Sequence, residues 1–443
     1  MRIWRGWVMA GEWRTVRLGE ITDWASGGTP PKDDAKYWGG AIPWISASSM
    51  YGNRYSDSEL KLTETGLARG SRLAEVGTVL LLVRGSILHQ RVPVGIATRP
   101  MAFNQDVKAI KAKEGLSPWF LLYWFLGKER NLLELVDFTG IGAGKFDTKQ
   151  LQELPVNLPT LSEQEQIVAV VKALDDKIEL NRRMNETLEA IARAMFKCWF
   201  VDFDPVRAKA SGEPPESICR RLRLTPDLLA LFPDRFVDSE LGEIPEGWEV
   251  KPFSETVQII GGGTPKTSVS EYWGGDIPWF SVVDAPAESD VFVIDTEKKI
   301  TQTGLDDSSA RILSAGTTII SARGTVGKVA LVGVPMAMNQ SCYGLRGLDG
   351  GSFFTYYATR ELVSTLKQHS HGAVFDTITR NTFAGVSVVT FQPVVTAFET
   401  VVTPLMEKIK ANSVQGRTLA ELRDTLLPKL LSGELRVPVR SAS

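Results

Sequence analysis

Apolar side chains recur at alternating steps of four and three along Ile167, Val171, Leu174 and Ile178, and again at Leu188, Ala192 and Met195, with Asn181 and Asn185 between them. That spacing is the seam of a long amphipathic helix that packs on another helix, sustained for about four heptads. Ser162 and Glu165, three residues apart, predict a capping box at its start. A second seam follows near the other end of the chain: Val402, Leu405, Ile409, Asn412, Gly416, Leu419 and Leu426. Pro404 lies inside it and predicts that this helix starts or kinks there. A helix of about 35 residues is about 50 Å long and cannot bury its seam alone. Pairing the two with each other, antiparallel, is the natural solution. Asn181 and Asn412 hold equivalent seam positions. Each has two readings, a buried polar residue that fixes register or a partly exposed one near a helix end.

Upstream of each seam the pattern changes to short β-rich runs punctuated by glycine, at Val79–Val83, Thr318–Ala322 and Val329–Val332. These predict a mixed globular unit before each helix and an α+β fold overall. The two units are copies. Gly27-Gly28-Thr29-Pro30 returns as Gly262-Gly263-Thr264-Pro265, Tyr37-Trp38-Gly39-Gly40 as Tyr272-Trp273-Gly274-Gly275, and Ile42-Pro43-Trp44 as Ile277-Pro278-Trp279. Arg84-Gly85 returns as Arg323-Gly324, Asn104-Gln105 as Asn339-Gln340, and Phe146-Asp147-Thr148 as Phe375-Asp376-Thr377. A spacing this long is a duplicated domain rather than a solenoid period. Between the anchors, residues 47–76 and 282–315 share little. The organisation expected is a first domain over 1–158, a helix over 159–199, a linker over 200–245 rich in Pro, Asp and Arg, a second domain over 246–390, and a C-terminal helix and tail over 391–443. Ser239-Glu240-Leu241-Gly242-Glu243 is echoed by Ser432-Gly433-Glu434-Leu435, which predicts a near-circular arrangement with the chain's two ends close together. Residues 1–10 have no assigned role.

Composition changes the picture only at its edges. Within 443 residues, an apolar fraction of 43% and a charged fraction of 23% are those of a soluble globular chain. No run of about 18 apolar residues predicts a membrane span. Cys198, Cys219 and Cys342 form no CxxC pair, which fits a cytoplasmic chain with free thiols. The net charge of −2 argues against a broad basic surface but not against local basic loops. His89, His369 and His371 are too few and too scattered for a metal cluster. Thr139–Phe146 imitates a phosphate loop but has threonine for its first glycine and Phe146 where a hydroxyl is needed. No Asn/Asp-Pro-Pro-aromatic methyltransferase tetrapeptide occurs, since Asp204-Pro205 is followed by Val206.

The twin openings "SGGTPPK…YWGGAIPW" and "GGGTPKTSVSEYWGGDIPW", the helix start "LSEQEQIVAVV" and the stretch "WFVDFDPVRAK…LFPDRFVDSELGEIPEGWEV" together resemble the specificity subunit of type I restriction–modification systems. The resemblance covers essentially the whole chain. It implies two target-recognition domains, each reading one half of a bipartite, asymmetric site in double-stranded DNA. It further implies an antiparallel helix pair with pseudo-twofold symmetry that spaces the half-sites and docks two methyltransferase subunits. Adenine N6 methylation would belong to those subunits, and cleavage to restriction subunits. S-adenosylmethionine, ATP and Mg would be held by the partners, with no cofactor on this chain and no catalysis by it.

Candidate DNA contacts follow. The Gly-Gly-Thr-Pro loops offer Thr29, Lys32, Thr264 and Lys266 to phosphate, or are simply tight turns. Arg84 with Ser86, and Arg323 with Thr325, stand where a strand gives way to a flexible step; either arginine could fork onto a guanine edge or a phosphate, or form a salt bridge to a nearby carboxylate. Lys145 and His371 flank the loop before each helix. Asn104-Gln105 and Asn339-Gln340 suit adenine, but their presence in both copies favours a structural hydrogen-bonding role. The four tryptophans Trp38, Trp44, Trp273 and Trp279 read as packed turns. Base-specific contacts are expected in the divergent segments, with Arg54, Lys61, Lys298 and Lys299 as candidates. Ile178, Asn181, Leu188, Met195, Phe196, Ile409, Asn412 and Leu419 are expected to pair the helices or bind a partner. The row Met195, Phe196, Trp199, Phe200 reads as an exposed docking surface.

Overall fold

The computed structural model describes residues 13–138, 142–286, 289–369 and 377–437. His371, residues 1–10 and part of the Thr139–Phe146 loop lie outside the described residues. The chain forms two compact units, Met1–Asp176 with Leu419–Ser443, and Lys177–Thr418.

In the first unit a five-stranded sheet runs in the order Thr22–Ser26, Val107–Ala112, Val79–Leu82, Val94–Ala97, Arg54–Tyr55. Its pairs are antiparallel except the last, which is parallel. Val79–Leu82 is buried throughout, as a central strand covered on both faces must be. The helix Pro118–Gly127 is apolar on every side, and Phe120 to Phe125 are all buried in this core. A second sheet places Trp38–Ile45 beside Met101–Phe103. Arg84–Gly85 pairs with Gly144–Lys145 in a small third sheet.

The second unit repeats this plan. Val257–Gly261, Cys342–Gly347, Thr318–Ser321, Val329–Val332 and Phe292–Val293 take the same order, with the same single parallel pair. The long strands break register at the same place, between Trp38 and Ile42 and between Trp273 and Ile277. The duplication read from the sequence is therefore a duplication of topology.

The two seams are helices Leu161–Phe200 and Gln392–Ser432, and each contributes to both units. In the first unit Ile167, Val168 and Val171 share a core with Leu427, Leu430 and Leu431. Arg423 pairs with the buried Asp175 at 2.8 Å. In the second, Asn181 donates to Gln415 Oε1 at 2.9 Å and Asn412 donates to Asn185 Oδ1 at 3.0 Å. Partners thus fall along one helix as they rise along the other. Within each unit the helices run antiparallel.

Three expectations need correction. The capping box lies two residues earlier than Ser162 and Glu165. Thr160 Oγ1 and its backbone N–H donate to Glu163 Oε2, and the Glu163 N–H returns to Thr160 Oγ1. Pro159 and Thr160 follow directly on the strand Pro155–Leu158, the helix starts at Leu161, and Thr160 therefore takes the capping position. Of the two readings of Pro404, the start is overturned: the C-terminal helix begins at Gln392. Val394, Val395, Phe398 and Val402 form a stripe no more than 3% exposed, and its burial outweighs the roughly 3 kcal/mol that an interior proline costs. Finally, Phe196, Trp199 and Phe200 are not exposed. Phe196 meets Tyr357 and Phe398 with ring centroids 5.7 and 5.9 Å apart, and Trp199 meets Phe232 edge-on at 5.5 Å. Met195 is half-buried beside them.

The cover comes from the segment 200–245, which folds into helices Asp204–Ala210, Pro215–Leu222 and Pro226–Ala230 and a hairpin, Phe236–Ser239 with Gly242–Pro245. At the other end of the chain, the near-circular expectation holds within the first unit. The Arg436 guanidinium lies 4.6 Å from the Trp13 ring centroid and 3.2 Å from Glu163 Oε1.

Candidate nucleic-acid interface

The Gly-Gly-Thr-Pro loop leaves the first strand of each domain and is held by three independent ties. Trp44 Nε1 donates to Gly28 O at 3.1 Å and Trp38 Nε1 to Pro31 O at 3.0 Å. The two indoles meet edge-on, 5.1 Å apart at 87°. In the second domain Trp279 donates to Gly263 O at 2.9 Å and Trp273 to Lys266 O at 3.3 Å, with the same edge-on geometry. These tryptophans are structural, as their sequence context suggested. The glycines are required by close approach. A Cβ at Gly28 would stand 2.1 Å from Gly70 O, and one at Gly263 2.3 Å from Ala310 N.

The third tie decides what the loop can offer. Thr29 Oγ1 donates to Gln105 Oε1 at 2.7 Å, and Thr264 donates to Gln340 in the same way. Asn104 Oδ1 accepts from Asp106 N at 3.0 Å, and Asn339 Oδ1 from Ser341 N at 3.0 Å. The Asn-Gln pair is thus the structural element its duplication implied. The Thr29 and Thr264 hydroxyl protons, proposed for phosphate, are already spent on it. Lys32 and Lys266 remain exposed on the loops.

Beside this loop, Arg84 and Lys145 stand opposite each other on the small third sheet. With Gln105, Asp106, Lys108, Phe146 and Thr148 they line an open depression of about 260 Å³. Among the described residues, no carboxylate lies within ion-pair distance of Arg84, Lys145 or Lys108, while Lys108 Nζ donates to Ser26 Oγ. Phe146 is buried, which accords with the structural reading of its loop. Ser86 opens a short turn and is exposed. In the second domain Arg323 is exposed and bridges Thr377 through its backbone, with Thr325 exposed two residues on. Three cations thus share one concavity with the Asp106 carboxylate, a local excess of positive charge on a chain whose net charge is −2.

The divergent candidates fare differently. Arg54 is turned inward: it pairs with Asp176 at 2.5 Å and lies over the Trp119 ring at 5.1 Å. Lys61 pairs with Asp57 at 3.0 Å and Lys299 with Asp295 at 3.3 Å, equivalent positions doing equivalent work. Lys298 is exposed. Burial pushes the Asp295 carboxyl up, but the Thr296 N–H, Lys299 and the Arg417 charge more than offset it, so it stays below its usual range. These side chains are committed to fastening the domain together or to the helices.

The helix-pairing residues fall where expected. Asn181, Ile409 and Asn412 are buried, and Ile178, Leu188 and Leu419 half-buried. Asn185 completes the polar ladder through Ser413 Oγ at 3.2 Å. Two charged supports were missed, Asp175 with Arg423 and Glu189 with Arg360, the latter at 2.6 Å. Asp175 and Glu189 each sit one step from a seam asparagine or leucine, and heptad spacing alone does not separate them from a solvated face. Lys108 was missed too, although a lysine three residues after each copy's Asn-Gln, in one copy only, was visible.

The family model for the type I restriction modification DNA specificity domain matches residues 10–190 and 245–388. Those two stretches are most of the chain. The chain belongs to that family. The type I restriction enzyme HindI specificity subunit of Haemophilus influenzae is 33% identical over 66% of this chain and 70% of its own length. The MjaIX specificity subunit of Methanocaldococcus jannaschii is 28% identical over 96% of this chain and 94% of its own. The crystal structure of a type I restriction–modification S subunit from M. genitalium shares the fold, with a TM-score of 0.54 at 15% identity over 97% and 98% of the two chains. As a member of this specificity family, the chain is a DNA-recognition component. None of its described helices is long and apolar enough to cross a membrane.

Proposed function

We propose that this specificity subunit reads a bipartite, asymmetric DNA site, one half-site per recognition domain. The observation that carries the reading is the twofold occurrence of one tied-down loop, Thr29–Gln105 and Thr264–Gln340, each beside an exposed arginine, on domains whose intervening segments differ. A repeated rigid frame with different furnishing is what two readers of different sequences need. Phosphate contacts set position, and differing side chains set sequence.

In this reading Arg84, Ser86, Lys145 and Lys32 meet one half-site, and Arg323, Thr325 and Lys266 the other. The helix pair spaces the half-sites and docks methyltransferase subunits, two by symmetry of the duplication. Those subunits flip the target adenines, since the N6 amino group is out of reach in a stacked duplex. S-adenosylmethionine is held by them, and ATP and Mg by restriction subunits that cleave unmodified DNA. The chain itself supplies no catalytic group and works in the cytoplasm.

The test is co-expression with a methyltransferase subunit of the same system in a methylation-free host, followed by single-molecule mapping of modified adenines. A two-part motif with a fixed unspecified gap is expected. A stable complex that leaves no such motif overturns the reading.

A further inference from the structure

Lys108 and Tyr343 occupy the same place in the two domains. Strand register pairs Lys108 with Ser26 and Tyr343 with Gly261, and each lies three residues beyond the glutamine that holds the loop. The strands Val107–Ala112 and Cys342–Gly347 have identical burial patterns, with this position half-buried in both. The backbone accepts a long cation or a ring at this place; in the second domain the ring also packs against that unit's core, beside the buried Phe383. Around it the frame is constant: Arg84 or Arg323, Thr29–Gln105 or Thr264–Gln340. What changes is the floor. In the first domain it is Lys108 with Ser26, the ammonium facing the depression that also holds Arg84 and Lys145. In the second it is Tyr343 beside Gly261, its ring edge-on to Phe383 at 5.7 Å.

Resting on the bipartite reading above, we propose that this shared position is a base-reading position, and that Lys108 reads a guanine. A lysine has donors and no acceptor. In the major groove, guanine presents two adjacent acceptors, O6 and N7, and no donor. Cytosine presents only a donor at N4, while adenine sets an amino group beside its N7 and thymine a methyl beside its O4, so each of these two offers one acceptor where guanine offers two. Tyr343 both donates and accepts and brings an aromatic face, so it does not impose that requirement. The two half-sites therefore differ at the base pair that faces this position, while the constant arginines serve both.

The experiment maps methylated motifs for the co-expressed wild-type complex and for Lys108→Met, Lys108→Arg and Tyr343→Phe. Lys108→Met keeps length and apolar stem but removes the donors. It is expected to broaden one guanine position of one half-site, raising methylation of sites with another base there by about fivefold or more, and to leave the other half-site intact. Lys108→Arg, which restores donors, keeps the guanine. Tyr343→Phe alters only the second half-site. If Lys108→Met lowers methylation evenly over an unchanged motif, Lys108 is a phosphate contact and the proposal is wrong; an unchanged motif at undiminished level also overturns it. If the wild-type complex itself gives no two-part motif, the bipartite reading fails, independently of Lys108.

Discussion

Asn412 donates its side-chain amide to Asn185 Oδ1 at 3.0 Å, and neither side chain is more than 2% exposed. Removing Asn412 leaves Asn185 Oδ1 buried without its donor, while Asn185 Nδ2 keeps Ser413 Oγ; an orphaned buried acceptor costs about 1–3 kcal/mol, whereas replacing both partners with apolar residues of similar shape is nearly neutral. Asn412→Ala should therefore destabilise the second unit markedly, and the Asn185→Leu, Asn412→Leu double variant much less. Urea unfolding of the three proteins checks this. Equal losses in single and double variants would mean the amide pair is not the determinant.

Arg84→Ala and Arg323→Ala should each weaken binding to DNA altered in neither half-site by about 1–3 kcal/mol, or roughly 5- to 150-fold. The loss should vanish for Arg84→Ala when the half-site read by the first domain is scrambled, and for Arg323→Ala when the other is. Both arginines are exposed, so melting temperature should not move. Fluorescence anisotropy on the three duplexes separates the outcomes.

Glu399 introduces a pH dependence. Its carboxylate accepts the Phe354 N–H at 2.7 Å, capping the helix Ser352–His369, but burial pushes its pKa up to about 7 despite the Phe353 and Phe354 N–H groups. Raised above its unfolded value, such a group contributes stability fully present below about pH 4.5. That contribution is lost as pH rises through about 7, a swing on the order of 3 kcal/mol. The first domain uses the neutral Gln164 in the corresponding role, accepting from Ser117 N at 2.8 Å. Glu399→Gln should flatten the pH profile between 4.5 and 7 and raise stability above pH 7. Thermal melts across that range would show it, and an unaltered profile would remove Glu399 from the account.

Gly28→Ala and Gly263→Ala should each distort one recognition loop. The added Cβ meets backbone atoms at 2.1 and 2.3 Å, which cannot swing aside as side-chain ends do. A cost of about 1–3 kcal/mol is expected, with binding lost at one half-site. Trp44→Phe, which removes the indole N–H to Gly28 O and part of a buried ring packed on Trp38, should cost about 1 kcal/mol for the tie and more for the lost packing. Comparing the two separates crowding from the lost tie.

How much of this was legible beforehand depended on whether a residue's partner was near in pattern. The seams were readable because every fourth or third residue repeats the same requirement, and the duplication because glycine, proline and tryptophan mark backbone positions few other residues can fill. The aromatic row Phe196, Trp199, Phe200 was misread as exposed because its cover arrives from a Pro-rich segment with no periodicity and from a helix some 200 residues on. The partners of Arg54, one of the candidates in the divergent segments, were hidden for the same reason: nothing local announces Asp176 and Trp119 as its neighbours. Lys108 escaped because it is one of two lysines in its strand, with Lys111, and acquires meaning only once register aligns it with Tyr343.

The core of the first unit takes Leu427, Leu430 and Leu431 from the far end of the chain, and Leu431 packs close against Gly127, where a Cβ would lie 2.4 Å from Leu431 Cδ1 and push that side chain aside. During synthesis, Lys177–Thr418 has all its own residues in hand before those leucines leave the ribosome. The domain translated first is thus the one completed last, and until then its apolar floor has no lid. A nascent chain halted before Leu427 would carry one finished reader and one waiting for its closing strip.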